Sequence, residues 1–166
     1  MNLPQHVTRC VCSNTGSPCP ICWGDNGFQE NGKQVKLRAR SGETVKAVVV
    51  DDCLLSSQKI KKCDDLFILK KNNKNVYIVL VELKGTHIKD AFAQLASVRQ
   101  DQKYECIVEC FPKTPKPIER AFVITGRMPL PPLNQQAKLE EIYGIRVKIL
   151  ASQKTKSKAL DLREHL

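Results

Sequence analysis

Apolar and polar positions change period several times along the chain, and each change predicts an element. Val35-Lys36-Leu37-Arg38-Ala39 alternates, Ser41-Gly42 offers a turn, and Thr44 to Val50 is β-branched and apolar, so a hairpin is predicted there. Cys63 to Leu69 and Val76 to Leu83 are apolar runs joined by Lys70-Lys71-Asn72-Asn73-Lys74-Asn75, which predicts two antiparallel strands with a basic connection. After Gly85 the period lengthens. Ile88, Ala91, Phe92, Leu95, Ala96 and Val98 fall on one helical face, and Thr86 is placed to cap its start. Pro112, Pro115 and Pro117 mark a loop, Arg120 to Thr125 reads as a strand, and Pro129, Pro131 and Pro132 break the chain again. Leu133 to Tyr143 reads as a short helix with Leu139 and Ile142 inward, and Ile145 to Leu150 returns to strand alternation. The order strands, helix, strand, helix, strand predicts an α/β or α+β sheet with helices packed on it. No internal repeat interrupts it.

Residues 1–33 differ in character. Large apolar residues are few and turn formers many, so the stretch needs a crosslink or a metal to hold a shape. The predicted organisation is a metal-binding segment over 1–33, a main domain over 34–151 and a basic tail over 152–166. That tail carries Lys154-Thr155-Lys156-Ser157-Lys158, with a short helix expected after it. The 166 residues suit one medium domain with a small appendage. Val76 to Val81, the longest apolar stretch, is far below the roughly 18 residues of a membrane span. Met1-Asn2-Leu3-Pro4-Gln5-His6 lacks the basic and apolar regions of a secretory signal, so a cytoplasmic, membrane-free protein is expected.

Charge sharpens this picture. The chain has 27 Lys+Arg against 17 Asp+Glu, a formal +10, which favours a polyanionic partner, nucleic acid above all. Cysteine sharpens it further. Eight cysteines without a signal argue against a disulfide framework. Cys10, Cys12, Cys19 and Cys22 crowd together, and four thiolates suit tetrahedral Zn²⁺. Cys19-Pro20-Ile21-Cys22 followed by Trp23-Gly24 resembles a zinc knuckle. His6 is a substitute ligand, and an iron–sulfur cluster is the alternative occupant. Cys53, Cys63, Cys106 and Cys110 are dispersed and expected to be small buried hydrophobes.

The candidate chemistry lies between Asp51 and Leu95. Glu82 and Lys84 sit two apart on a predicted strand and therefore share a face, where Asp64 or Asp65 of the preceding strand can join them. Two acids and a lysine suit a divalent cation and an activated water; the plainer reading is solvated charge at strand ends. Lys62-Cys63-Asp64-Asp65-Leu66-Phe67-Ile68-Leu69, a turn, Tyr77-Ile78-Val79-Leu80-Val81-Glu82-Leu83-Lys84-Gly85 and a helix with Ala91-x-x-Gln94-Leu95 together resemble the PD-(D/E)xK nuclease superfamily over about residues 44–126.

That resemblance implies a restriction-endonuclease-like mixed β-sheet flanked by helices. It implies that Asp64 and Glu82, with Asp65 the rival aspartate, bind Mg²⁺ or Mn²⁺, that Lys84 assists the attacking water, and that Gln94 lies near the site. Glu43 is the candidate for a further carboxylate. Lys59, Lys61, Lys62, Lys70, Lys71 and Lys74 flank the same strands and are expected to contact backbone phosphates. The expected function is nucleic-acid cleavage, of DNA rather than RNA, in restriction, phage defence or repair, by a homodimer or within a larger complex. The rival expectation is a non-catalytic nucleic-acid-binding or adaptor protein that uses the knuckle for contact.

Overall fold

The computed structural model describes residues 1–15, 19–55, 62–71, 75–84, 87–126, 129–152 and 159–166, with Lys84 given by its backbone alone. In chain order the elements are α1 (Gln5–Thr8), β1 (Gly27–Glu30), β2 (Lys33–Lys36), β3 (Glu43–Val49), β4 (Asp65–Lys71), β5 (Asn75–Lys84), α2 (Ile88–Arg99), α3 (Gln102–Glu109), β6 (Ile118–Thr125), α4 (Leu133–Tyr143), β7 (Lys148–Ala151) and β8 (Leu160–Asp161). A 3₁₀ turn, Leu162–His165, follows. The main sheet runs β3-β4-β5-β6-β7, antiparallel as far as β5 and parallel beyond it. A smaller sheet, β1-β2-β8, is also mixed. The architecture is therefore mixed α/β.

Alternation along the strands divides the core into two layers. Leu66 and Ile68 of β4, Ile78 and Leu80 of β5, and Ala121 and Val123 of β6 pack with Phe92 and Leu95 of α2, Tyr104 and Ile107 of α3, and Leu139 of α4. The intervening positions face the other way. Phe67, Leu69, Val79, Val81, Phe122 and Ile124 meet Phe28, Val35, Leu37 and Leu162. The Phe28 and Phe67 rings join the two sheets at 4.8 Å between centroids. Gly27 opens β1 because nothing larger fits: a Cβ there would lie 2.8 Å from the Trp23 carbonyl oxygen.

Residues 1–33 share both layers. Val7 and Cys10 belong to the helix-side core, and Cys12 and Phe28 to the other. Segment 10–12 also extends the β3 edge. Cys12 N–H donates to the Ala47 carbonyl (2.8 Å) and Val49 N–H to the Cys10 carbonyl (2.9 Å).

Several predicted elements differ from those observed. The hairpin predicted over 35–50 does not form, because β2 pairs with β1 and β8 while β3 joins the main sheet. Helix α3 lies in a stretch for which no helix is predicted, with Asp101 Oδ1 capping it by accepting from Lys103 N–H at 2.8 Å. Helix α4 stops at Gly144, whose φ of +61° suits a left-handed C-terminal residue. Ile142, predicted inward, is 68% exposed. Thr86 lies outside the described residues, and the residue preceding α2 is His87, without a side-chain cap. Among the described residues, no helix is long and apolar enough to cross a membrane.

Candidate active site

Antiparallel pairing of β4 and β5 sets the geometry. Asp65 lies opposite Val81 and Leu66 opposite Leu80, so the residue before β4, Asp64, comes level with Glu82. Two bonds cross the strands here: Asp64 N–H donates to Glu82 Oε2 (3.2 Å), and Leu83 N–H, next to Glu82, donates to Asp64 Oδ2. The Asp64 carbonyl in turn accepts from Val50 N–H (3.0 Å) and Asp51 N–H (3.3 Å), which fixes the backbone behind the carboxylate. Glu82 is 1% exposed, whereas Asp64 is half-buried. An acid at the entry to β4 and one within β5 thus meet at the rim of the helix-side core.

Cys63 lies beside them. Burial, with the charges of Glu82, Asp64 and Asp65, raises its thiol well above the ordinary range and keeps it protonated. Gln94 reaches from α2 and donates from Nε2 to the Lys62 carbonyl at 2.6 Å, which ties the helix to the chain entering β4. Lys84 pairs by its backbone with Thr125 of β6; its side chain lies outside the described residues.

Among the described residues, the lysines expected to contact phosphates are not gathered around these acids. Lys62 is 8% exposed and engaged, with Nζ 2.6 Å from Asp51 Oδ1 and 3.2 Å from Asp52 Oδ1. Burial opposes its charge, but the hydrogen bonds it donates to both aspartates prevail and raise its pKa. Lys70 and Lys71 lie at the far end of β4, six and seven residues from Asp64, about 20 Å or more along an extended strand. Lys71 Nζ stands 4.1 Å from the centre of the Tyr77 ring. Lys59, Lys61 and Lys74 fall outside the described residues. Asp51 and Asp52, which hold Lys62, are the site-shaping residues for which the sequence reading predicts no role. Their signal is a pair of turn-forming acids, with Asp52 at φ +59°.

Glu43 and Asp65 are also placed away from the acid pair. Glu43 sits opposite Lys71 at the other end of β3 and is bound by Arg163 NH2 (2.6 Å) and Arg40 N–H (2.9 Å). Asp65 faces the second core layer, fully buried, because adjacent strand residues point to opposite faces.

The cofactor expectations are corrected. Cys10 is bonded to Cys53 and Cys12 to Cys22, so a four-cysteine zinc or iron–sulfur site does not exist; Cys19 is left as a thiol. Cys53 has crossed from the set read as buried hydrophobes into a disulfide, and Cys106 and Cys110 are exposed. Among the described residues, no group of three or more His, Cys, Asp or Glu could hold a metal ion. The expected Mg²⁺ or Mn²⁺ site at Asp64 and Glu82 is corrected on the same ground: no third ligand joins the pair among the described residues, and the rival aspartate, Asp65, lies across the sheet.

Comparison with known proteins gives no match among family models, curated sequences or solved structures.

Proposed function

We propose that the chain is a nuclease that hydrolyses phosphodiester bonds in DNA, with Asp64, Glu82 and Lys84 as its working residues and Gln94 as a positioning residue. The observation that supports this reading is the meeting of Asp64 and Glu82 across β4 and β5, locked by backbone donors. A carboxylate held this way is oriented in advance to accept a proton from an attacking water. The Lys84 ammonium would offset charge that builds on the phosphate oxygens. The formal +10 supplies the attraction to a polyanion.

A second reading has one observation in its favour. Each acid is tied to a main-chain amide, as in a structural staple between strand ends, which fits a nucleic-acid-binding protein without catalysis.

One experiment separates the two. Plasmid, linear and single-stranded DNA are incubated with the protein in Mg²⁺, in Mn²⁺ and in EDTA. The nuclease reading expects cleavage by the wild type, reduced about 100-fold or more in Glu82→Gln and Lys84→Ala with DNA affinity retained. Binding by the wild type without cleavage of any substrate, or a Glu82→Gln protein that cuts at the wild-type rate, rejects it.

A further inference from the structure

A cleft of about 840 Å³ opens beside the first half of β6, within the size range of small-molecule sites. Its origin is a mismatch in strand length. β7 pairs only with Phe122 to Thr125, so Ile118 to Ala121 have no neighbouring strand on that side. The chain leading into β7 is drawn toward α4 instead, with Val147 N–H donating to Glu140 Oε1 at 3.1 Å. Leu80, Ala121, Leu130, Ile145 and Ile149 give the cleft apolar walls. None of Asp64, Glu82 and Gln94 lines it.

Its charges are unbalanced. The acids at the cleft are both engaged. Glu119 Oε2 accepts from Arg99 Nε (3.1 Å) and the Tyr104 hydroxyl (2.6 Å), and Glu140 Oε1 accepts from Gln136 Nε2 (3.1 Å) as well as from Val147 N–H. Three cations remain. Arg120, Arg146 and Lys148 line the cleft and are exposed, and none has an ion pair among the described residues. Arg120 NH1 donates to the Glu119 carbonyl at 2.9 Å, which occupies a main-chain acceptor of the unpaired segment and disfavours an added strand there.

We infer that this cleft binds a small organic anion with an apolar body, which rests its hydrocarbon part against Ala121 and Ile149 on the helix side and carries its carboxylate, sulfonate or phosphate through the open edge beside β6 to Arg146 and Lys148 on the other face. An apolar wall supplies burial without direction, while cations lacking a protein partner fix orientation and select charge. The inference neither rests on the nuclease reading nor uses any of its residues.

Two fluorescent probes of nearly one shape test it: 8-anilino-1-naphthalenesulfonate, which is anionic, and N-phenyl-1-naphthylamine, which is neutral. The native protein should bind the sulfonate saturably at one site per chain. Arg146→Gln with Lys148→Gln, both at exposed positions, should weaken the sulfonate about 10-fold, near 1.4 kcal/mol, and leave the neutral probe unchanged. Ala121→Leu, which fills the floor, should weaken both; circular dichroism checks its fold, and the rim variant decides alone if that fold is lost. Absence of saturable binding, unchanged sulfonate affinity in the rim variant, or a parallel loss of both probes there overturns the inference.

Discussion

A carboxyl group buried without a partner is a costly thing to place in a core, and among the described residues neither oxygen of the buried Asp65 carboxyl has a hydrogen-bond partner. Burial first, then the charges of Asp64, Glu30, Cys19 and Glu82, push its pKa well above the usual carboxylate range. The folded protein therefore keeps a proton there that the unfolded chain loses above about pH 3.9, so this residue's contribution is most favourable below that pH and declines as pH rises toward the folded pKa. Asp65→Val should raise stability at pH 8 by about 1–3 kcal/mol and flatten its pH dependence. Urea denaturation at pH 5 and pH 8 measures this; a variant less stable than the wild type at pH 8 would refute it. Glu43 has the opposite sign. Burial works against its charge, but the Arg40 amide and the Arg163 guanidinium prevail and hold its pKa below the ordinary value. Its stabilisation is present above about pH 4.3 and is lost as pH falls. Glu43→Gln should accordingly be less stable than the wild type at pH 7, with the gap closing near pH 3.

Secondary elements were legible where local pattern and tertiary partner agreed. Strands β4 and β5 meet through a short polar connection, so their apolar runs already fixed which residues share a face, and Asp64 and Glu82 could be placed together. Strands β2 and β3 show the opposite case. The turn signal at Ser41-Gly42 is real, with Gly42 at φ +78°, yet β3 finds its partners in β4 and segment 10–12. Turn chemistry bends a chain without choosing its neighbour. Helix α3 was missed because its inward residues, Tyr104 and Ile107, are few and close to prolines. The aspartates that hold Lys62 are not legible either, because a lysine's sequence context does not reveal its partners. Cysteine spacing had the same weakness, since four crowded thiols suit zinc and disulfides alike until Cys53 is brought beside Cys10. That bond spans 43 residues of sequence and fastens the N-terminal segment to the turn that bears Asp51 and Asp52. Such bonds persist mainly in oxidising compartments and are uncommon in the cytosol. Cys53→Ser should cost about 2–4 kcal/mol of stability, read from denaturant midpoints in the oxidised protein. Equal midpoints for variant and wild type, each unreduced by mass spectrometry, would count against the bond.

At the scale of the whole molecule, one sheet carries two different coverings, and the last residues of the chain complete the second. Helices protect the face that holds Asp64 and Glu82, while the small sheet protects the face that holds Phe67, Val81 and Phe122. That small sheet is not local in sequence. β8 pairs in parallel with β2, Leu162 is fully buried beneath it, and Arg163 crosses to Glu43 on β3. Asp161 takes part too, with Oδ2 3.3 Å from Arg38 Nε and Oδ1 accepting from Arg163 N–H at 3.1 Å. Leu162→Ala removes a side chain that has no solvent exposure and leaves a cavity between the two sheets. The loss should be about 2–4 kcal/mol, comparable to a disulfide. The layer affected lies across the sheet from the acid pair, whose bonds run along β4 and β5 themselves. Below its lowered melting temperature, Leu162→Ala should therefore keep wild-type DNA cleavage wherever the wild type cleaves, and in any case keep the backbone amide shifts of Asp64 and Leu83. A change at those two amides equal to the changes at Phe28 and Phe67 would show that the two layers act as one body and that the site depends on both.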